Sequence, residues 1–389
     1  GRVIRKEGRA LRGPRTDGMF AVSYSGDSMK VGLVGLPGSG KSTIFNALTQ
    51  GKVETGRFGS GRAEIHRGRS EVPDARLDWL AALYSPKKRT RAAVDFLDVP
   101  GISPGSMEKG TSALIADLRT VDAIVHVVRV FENPSVPHPE ETINPVRDAS
   151  NLETELLLAD LEITEKRLER IETDLKKGVS KAPLTEEKNL LLPMKAALEG
   201  GQSIRTLSLT EADQNRIRGY AFLTQKPQIL IGNRGESDVE NGPQEETLRA
   251  YAKEAGVPYL SVAGQIESEI AQMSEEDAAA FLADLGIGEA SRDRVIRAAF
   301  DVLSLISFFT FGEDECKAWT LRKGSNAVEA AGKIHSDIAR GFIRAEIVSF
   351  DHFRSAGTWA AARDVGHYRL EGRDYVMQDG DCVIFRFNV

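Results

Sequence analysis

The chain has 389 residues, 41% of them apolar and 28% charged, and a net charge of −6. That length suits two or three domains with sizeable cores. No apolar run approaches the ~20 residues of a membrane span, and the acidic balance excludes a surface that tracks nucleic acid everywhere while leaving room for a local basic face.

Residues 1–28 start with Gly, are rich in Arg and Gly, and show neither helical nor strand period or a signal-peptide core. They are read as a disordered or upstream-derived extension, with a basic arm for RNA as the alternative. From Lys30 to Phe131 short apolar runs alternate with amphipathic patterns: KVGLVG, a helix from Lys41, AAVDFLDVPG, a helix near Ser112 to Thr120, and DAIVHVVRVF. Strands that are continuously apolar belong in a parallel sheet covered on both faces, so this is an α/β domain.

Its first turn carries G-x-x-x-x-G-K-[ST] in Gly35, Gly40, Lys41 and Ser42, between an apolar strand and a helix. Glycines let successive N–H groups curl around phosphate oxygens at a helix N-terminus. Gly38, Ser39, Gly40, Lys41, Ser42 and Thr43 are therefore assigned to the nucleotide, with Lys41 on the β- and γ-phosphates and Ser42 on magnesium. VDFLDVPG adds Asp98 beside the metal and Gly101 beside the γ-phosphate; Asp95 is read as a polar edge residue.

Leu161, Leu168 and Leu175 recur every seven residues, with Leu157 and Ile171 in companion apolar positions. Gly178 and Pro183 then break the pattern before a second helical stretch around EEKNLLLPMKAALEGG, which predicts an antiparallel helical hairpin. Surface helices packed on the body and a projecting arm for a partner are both compatible with the charged faces. The α/β pattern resumes at KPQILIGNRGES and VPYLSVAGQIESEI, so the hairpin is inserted in the α/β domain. ISFFTFG, CKAWTLRKG, a helix over Ala327 to Arg340, GFIRAEIVSF and closing strands in DYVMQDGDCVIFRFNV suggest a mixed sheet gripping one helix, a β-grasp unit. The expected division is 29–150 with 201–302 for the P-loop domain, 151–200 for the inserted arm and 303–389 for the β-grasp unit. Cys316 and Cys382 are far apart, follow no metal-ligand spacing, and are read as reduced thiols of a cytoplasmic protein.

ILIGNRGES places Asn233 and Glu236 where guanine-specific switches have N-K-x-D. The extra methylene of Glu spoils a bidentate pair with the guanine edge, which weakens guanine selectivity. Ser261 is grouped with these residues at the nucleotide.

Over Met29 to Val389 the chain resembles the Obg-like ATPases of the YchF type, through GLPGSGKSTIFNALT, VPDARLDWLA, DAIVHVVRVFEN, AAGKIHSDIARGFIRAEIVSF and DYVMQDGDCVIFRFNV. The resemblance implies a GTPase-like P-loop NTPase domain, an inserted helical arm and a C-terminal TGS domain of β-grasp form. It also implies ATP preferred over GTP, with Asn233 and Glu236 facing adenine and Arg234 in a position the family usually fills with an apolar residue. Ile102 stands where Ras-like enzymes carry a water-positioning glutamine, and the resemblance offers His138 in FENPSVPHPEE as the catalytic substitute; a lone histidine in such a loop is otherwise a solvated residue.

The chain departs from the family at Gly38, where the family has Asn, at Arg62, which falls on the switch threonine, and in the short segment after Gly101. These changes are expected to slow chemistry more than they weaken phosphate binding. Arg62 is alternatively a cis cation for the γ-phosphate, and Phe131 to Pro139 with the segment after Gly101 are the expected moving parts. Lys333, His335, Arg340 and Arg344 lie among Phe342 and Phe350, read either as a solvated helix end or, following the TGS resemblance, as a local, salt-sensitive RNA surface. The implied picture is a magnesium-dependent, slow nucleoside triphosphatase acting with a ribosome or RNA, without a DNA or membrane partner. A guanine-preferring GTPase and a nucleotide-holding module with little hydrolysis are the alternatives.

Overall fold

The computed structural model describes residues 29–51, 65–102, 112–178, 181–236, 242–284 and 289–388. Residues 1–28, Arg62 and residues 103–111 after Ile102 fall outside them, and with these the expectations about the extension, the cis cation and the second moving segment.

The apolar run after Met29 forms β1 (Lys30–Val34), and the glycine-rich turn leads into α1 (Lys41–Thr49). Then come β2 (His66–Glu71), α2 (Ala75–Tyr84), β3 (Lys88–Thr90), β4 (Ala93–Asp98), α3 (Ser112–Arg119) and β5 (Ala123–Arg129). The long helix α4 (Pro145–Lys176) starts before the heptad pattern because the Asn144 side chain caps it, accepting the Arg147 N–H, and Pro145 occupies its first turn. The second arm helix, α5 (Lys181–Glu199), contains Pro183 in its first turn, where no N–H partner is needed, so this proline opens the helix and does not precede it. After α6 (Glu211–Ile217) the α/β pattern continues as β6 (Gln228–Asn233), α7 (Pro243–Glu254), β7 (Tyr259–Val262), α8 (Gly264–Ile270), α9 (Glu275–Asp284) and α10 (Ser291–Val302).

The first sheet has the order β2-β4-β1-β5-β6-β7 and is parallel except for the edge strand β2. The turn after β1 thus opens at the carboxyl ends of neighbouring strands, where open α/β sheets bind ligands. β4 lies between β1 and β2, so Asp95 is not at the sheet edge.

The arm's root belongs to the body: Leu152, Leu156 and Ala159 pack with Val34, Leu97 and Ile124 of the sheet. Farther along, Leu157, Leu168 and Ile171 meet Leu191, Met194 and Leu198 of α5 together with Ile217 and Phe222. The heptad face is therefore buried against its partner helix and the segment that follows it.

The C-terminal unit contains β8 (Leu305–Phe311), β9 (Glu315–Arg322), α11 (Ala327–Ile334), α12 (Ser336–Arg340), β10 (Phe342–Ser349), α13 (Phe350–Ala356), α14 (Trp359–Asp364), β11 (Arg369–Glu371) and β12 (Asp381–Phe387). One helix was expected over Ala327 to Arg340. Two form, because His335 is extended (φ −164°, ψ 142°) and its side chain caps the second by accepting the Asp337 N–H. The last stretch supplies one strand, β12, and not several. The sheet order is β11-β10-β12-β8-β9-β3, with β12 parallel to β8 and α11 packed on it, the β-grasp pattern. Its far edge is unexpected: β3, from the first half of the chain, pairs in parallel with β9, Arg89 opposite Cys316. Phe342 and Phe350 are buried in core clusters and offer no stacking surface. Cys316 and Cys382 are free and buried. No described helix is long and apolar enough to cross a membrane.

Candidate functional site

The turn between β1 and α1 has the form of a phosphate cradle. Gly40 sits at the helix N-cap in the left-handed region (φ 87°, ψ 19°), and α1 has neither a side-chain cap nor an acidic residue in its first turn. Its leading N–H groups therefore have no side-chain cap from the N-cap residue and face the turn with the positive end of the helix dipole.

Lys41 is 7% exposed, with Nζ 3.4 Å from the Leu36 carbonyl. Burial pulls its ammonium below the usual lysine range, and only the nearby Asp98 carboxylate opposes this. Such a buried cation gains from added negative charge. Ser42 Oγ donates to Asp98 Oδ2 at 2.6 Å. Asp98 is 5% exposed, and its Oδ1 has no hydrogen-bond partner among the described residues. An orphaned carboxylate oxygen beside a hydroxyl is a hard-oxygen donor set of the kind magnesium takes, so the residues fit that ion. Thr43 follows in the first turn of α1, and Gly101 lies against Pro37 of the cradle.

Asn233, at the end of β6, clamps this turn. Its Nδ2 donates to the Ser39 carbonyl at 2.9 Å, and its Oδ1 accepts the Gly264 N–H at 3.0 Å. The amide expected to face a base is thus largely committed to the protein's own backbone. A Cβ at position 40 would fall 2.1 Å from Asn233 Nδ2, so Gly40 is required by contact as well as by φ. Arg234 is half-buried, with its N–H donating to the Val262 carbonyl at 2.9 Å, while Glu236 is exposed. Ser261 is buried and its Oγ has no hydrogen-bond partner among the described residues.

Ile102 is 1% exposed and packs with Leu114, Leu118 and Val121 in the core. His138 is not the solvated loop histidine its Pro-rich surroundings suggested. Its side chain is 5% exposed, with Nε2 2.9 Å from Asp148 Oδ2 and Nδ1 accepting the Glu140 N–H at 3.1 Å.

Three residues around this histidine were not singled out from sequence. Arg129 is 3% exposed and donates to the carbonyls of Phe131, Val136 and Asn133 at 3.0, 2.9 and 3.1 Å, which shapes the loop that carries His138. That loop rests on the cradle, since a Cβ on Gly38 (φ 76°) would come 3.2 Å from Val136 Cγ1. His126 is 2% exposed, and Asp148 is also buried. Ser39, His126, Arg129, His138 and Asp148 border a cavity of ≈10 Å³, room for about one water. A histidine and an arginine within the apolar run DAIVHVVRVF were the available signal, because buried polar groups in a central strand need partners.

A larger concavity of ≈640 Å³ lies between the two sheets, with Lys30, Arg67, Arg218 and Arg322 against Asp95 and Asp122 on its walls.

Residues 30–159 match the family model described as a 50S ribosome-binding GTPase, and residues 305–388 match the YchF GTPase C-terminal model, described as a protein of unknown function (DUF933). The chain is 40% identical over 363 residues to the ribosome-binding ATPase YchF of Pasteurella multocida, covering 92% of this chain and 99% of that protein. It is 39% identical over 368 residues to the protein of the same name from Bacillus subtilis, covering 93% and 100%. Obg-like ATPase 1 of Oryza sativa subsp. japonica is 35% identical over 93% of this chain and 92% of its own length. Among solved structures, the YchF GTPase of Schizosaccharomyces pombe superimposes with a TM-score of 0.80 at 29% identity, covering 93% of this chain and 98% of that one.

Proposed function

Because the chain belongs to the YchF family, we propose that it is a cytoplasmic, magnesium-dependent nucleoside triphosphatase. In this reading it prefers ATP to GTP and uses its nucleotide state to alter contacts with a ribosome or RNA. The observation that carries the reading is the uncapped N-terminus of α1 with buried Lys41 and the Ser42–Asp98 pair beside it. The cradle N–H groups and Lys41 would take the phosphate chain, and Ser42 and Asp98 would hold magnesium, which when bound supplies charge neutralisation at the transferring phosphoryl group. Asn233 keeps the cradle in shape through Ser39. Glu236 in place of Asp supports the ATP preference, as do relatives named ATPases. Ribosome-binding relatives support the partner, with the arm, the C-terminal unit and the charged cleft as contact surfaces. His138 is the group proposed to orient the attacking water, in place of the residue at Ile102.

Calorimetry of Lys41→Ala with magnesium and ATP or GTP tests the site. Affinity is expected to fall at least about tenfold, a loss of ~1.4 kcal/mol or more. Unchanged affinity would remove the basis of the reading.

A second reading, a nucleotide holder with little turnover, is favoured by the burial of both Ile102 and His138. Single-turnover hydrolysis with and without ribosomes separates the two, since a catalyst accelerates with its partner and a passive holder does not.

A further inference from the structure

In its observed pose His138 has no ring nitrogen free for a nucleotide or an attacking water. Both ring nitrogens are engaged inside the protein, Nδ1 by the Glu140 N–H and Nε2 by Asp148 Oδ2. A nitrogen that accepts an N–H carries no proton, so this geometry places the ring's donor on Nε2, toward the carboxylate.

Asp148 does not depend on the histidine for its own pairing. Arg147 brings Nε to 3.0 Å and Nη2 to 2.8 Å of Oδ1, and is itself anchored by the Thr142 carbonyl at 2.6 Å. When the ring leaves, the carboxylate keeps an arginine on its other oxygen. Departure therefore costs the ring's two hydrogen bonds, to Asp148 and from the Glu140 N–H, but does not strand a buried charge.

The neighbouring contacts tie this pose to the nucleotide site. Arg129 gathers the carbonyls of Phe131, Asn133 and Val136 into one compact turn, and Val136 sits on Gly38 of the cradle. A change in the cradle thus meets the histidine loop directly, through van der Waals contact.

We propose that Asp148 is a positioning residue that latches His138 in an idle pose, and that hydrolysis requires the ring to exchange Asp148 for the phosphate site. The proposal rests on the reading of His138 given above. Arg147 is the element that makes the latch reversible. A partner that draws the 131–138 turn off Gly38 would release it, which makes the low rate without a partner a built-in property of the fold.

The test is single-turnover ATP hydrolysis by the full chain with magnesium, with and without ribosomes, for the parent, Asp148→Ala, Asp148→Glu, His138→Ala and the Asp148→Ala/His138→Ala pair. Asp148→Ala should raise the ribosome-free rate about fivefold or more and shrink the ribosome stimulation correspondingly, because the idle pose is no longer favoured. Asp148→Glu should restore the low rate, and both His138 variants should be inactive. Nucleotide affinity by calorimetry should be unchanged in Asp148→Ala, which separates release of the latch from damage to the site.

Nitrogen NMR of the parent histidines gives a readout that needs no variant: His138 should show the Nε2–H tautomer with Nδ1 unprotonated. The opposite tautomer would overturn the latch, as would an Asp148→Ala rate at or below the parent's while His138→Ala is inactive. Parental hydrolysis by His138→Ala would instead overturn the catalytic reading of His138, and the latch with it.

Discussion

His126 shows what a single side chain costs when its strand is central. It lies on β5 between β1 and β6, and is pushed down to about 3 from the usual 6.5 by burial first, then by the charges of Arg205 and Lys41. The ring stays neutral in the folded protein and so adds no cation that would compete with Lys41 for phosphate. The unfolded chain protonates this histidine below 6.5 whereas the folded one does not until about 3, so its contribution to stability falls as pH drops through that window. Between pH 7 and pH 5 the loss is about 2 kcal/mol. Urea unfolding at the two pH values should show this slope in the parent, and it should be diminished by that amount in His126→Asn. Equal slopes would show that the histidine titrates normally in the folded state. The residues of the cradle could be named from sequence because phosphate chemistry demands them in one short run. His126 and Arg129 stand out in the sequence only as polar residues within an apolar run, and Asp148 not at all, because their roles depend on partners that folding brings together.

The elements differ in the same way. β1, β4, β5 and β6 read as strands because both faces of a parallel sheet are covered and most of their residues are apolar. β2 (HRGRSE) and β3 (KRT) carry no such pattern. β2 is an edge strand, and β3 is fixed by a strand more than two hundred residues away, Lys88 opposite Glu315. The helix between them, α2, is equally committed to the C-terminal unit: Trp79 meets Phe350 edge-on at 5.7 Å, and Tyr84 lies 5.1 Å from Phe311. Arg76 joins the two units electrostatically. It donates to Asp74 and to Asp379 Oδ2 at 2.7 Å, and its guanidinium lies 5.2 Å from the Phe309 ring centroid. Asp379 in turn accepts the Ser307 N–H at 2.8 Å, so the ion pair fixes the start of β8 as well. Arg76→Ala should destabilise the protein by about 2 kcal/mol, less than a fully buried pair because Asp379 is half exposed. Arg76→Lys should recover little of this in chemical denaturation, since an ammonium cannot serve both carboxylates and the ring together. Full recovery by lysine would reduce the contact to simple charge.

Across the whole molecule, one apolar cluster runs from the first sheet into the second without a break. It links Val31 and Leu33 of β1, Phe45 and Leu48 of α1, Val295 and Ile296 of α10, Phe309 of β8, Cys316 of β9, Phe353 of α13 and Cys382 of β12. α1 begins at the phosphate cradle, and α10 is separated from β8 only by Leu303 and Ser304. A shared core of this kind makes the two sheets one cooperative unit, since opening either exposes apolar surface of both. Nucleotide bound at the cradle should therefore protect strands that never touch it. With a non-hydrolysable ATP analogue and magnesium at a hundred times Kd, the opening free energy of amides in β8, β9 and β12 should rise by about 2.7 kcal/mol, as in β1 and β5. Hydrogen exchange resolved by segment measures this directly. Protection confined to the first sheet would mean that the C-terminal sheet opens with the nucleotide still in place, and that β3 and the common core do not couple the units. Equal protection would give the nucleotide state a physical route to the far surface of the molecule, through packing that is complete before any partner arrives.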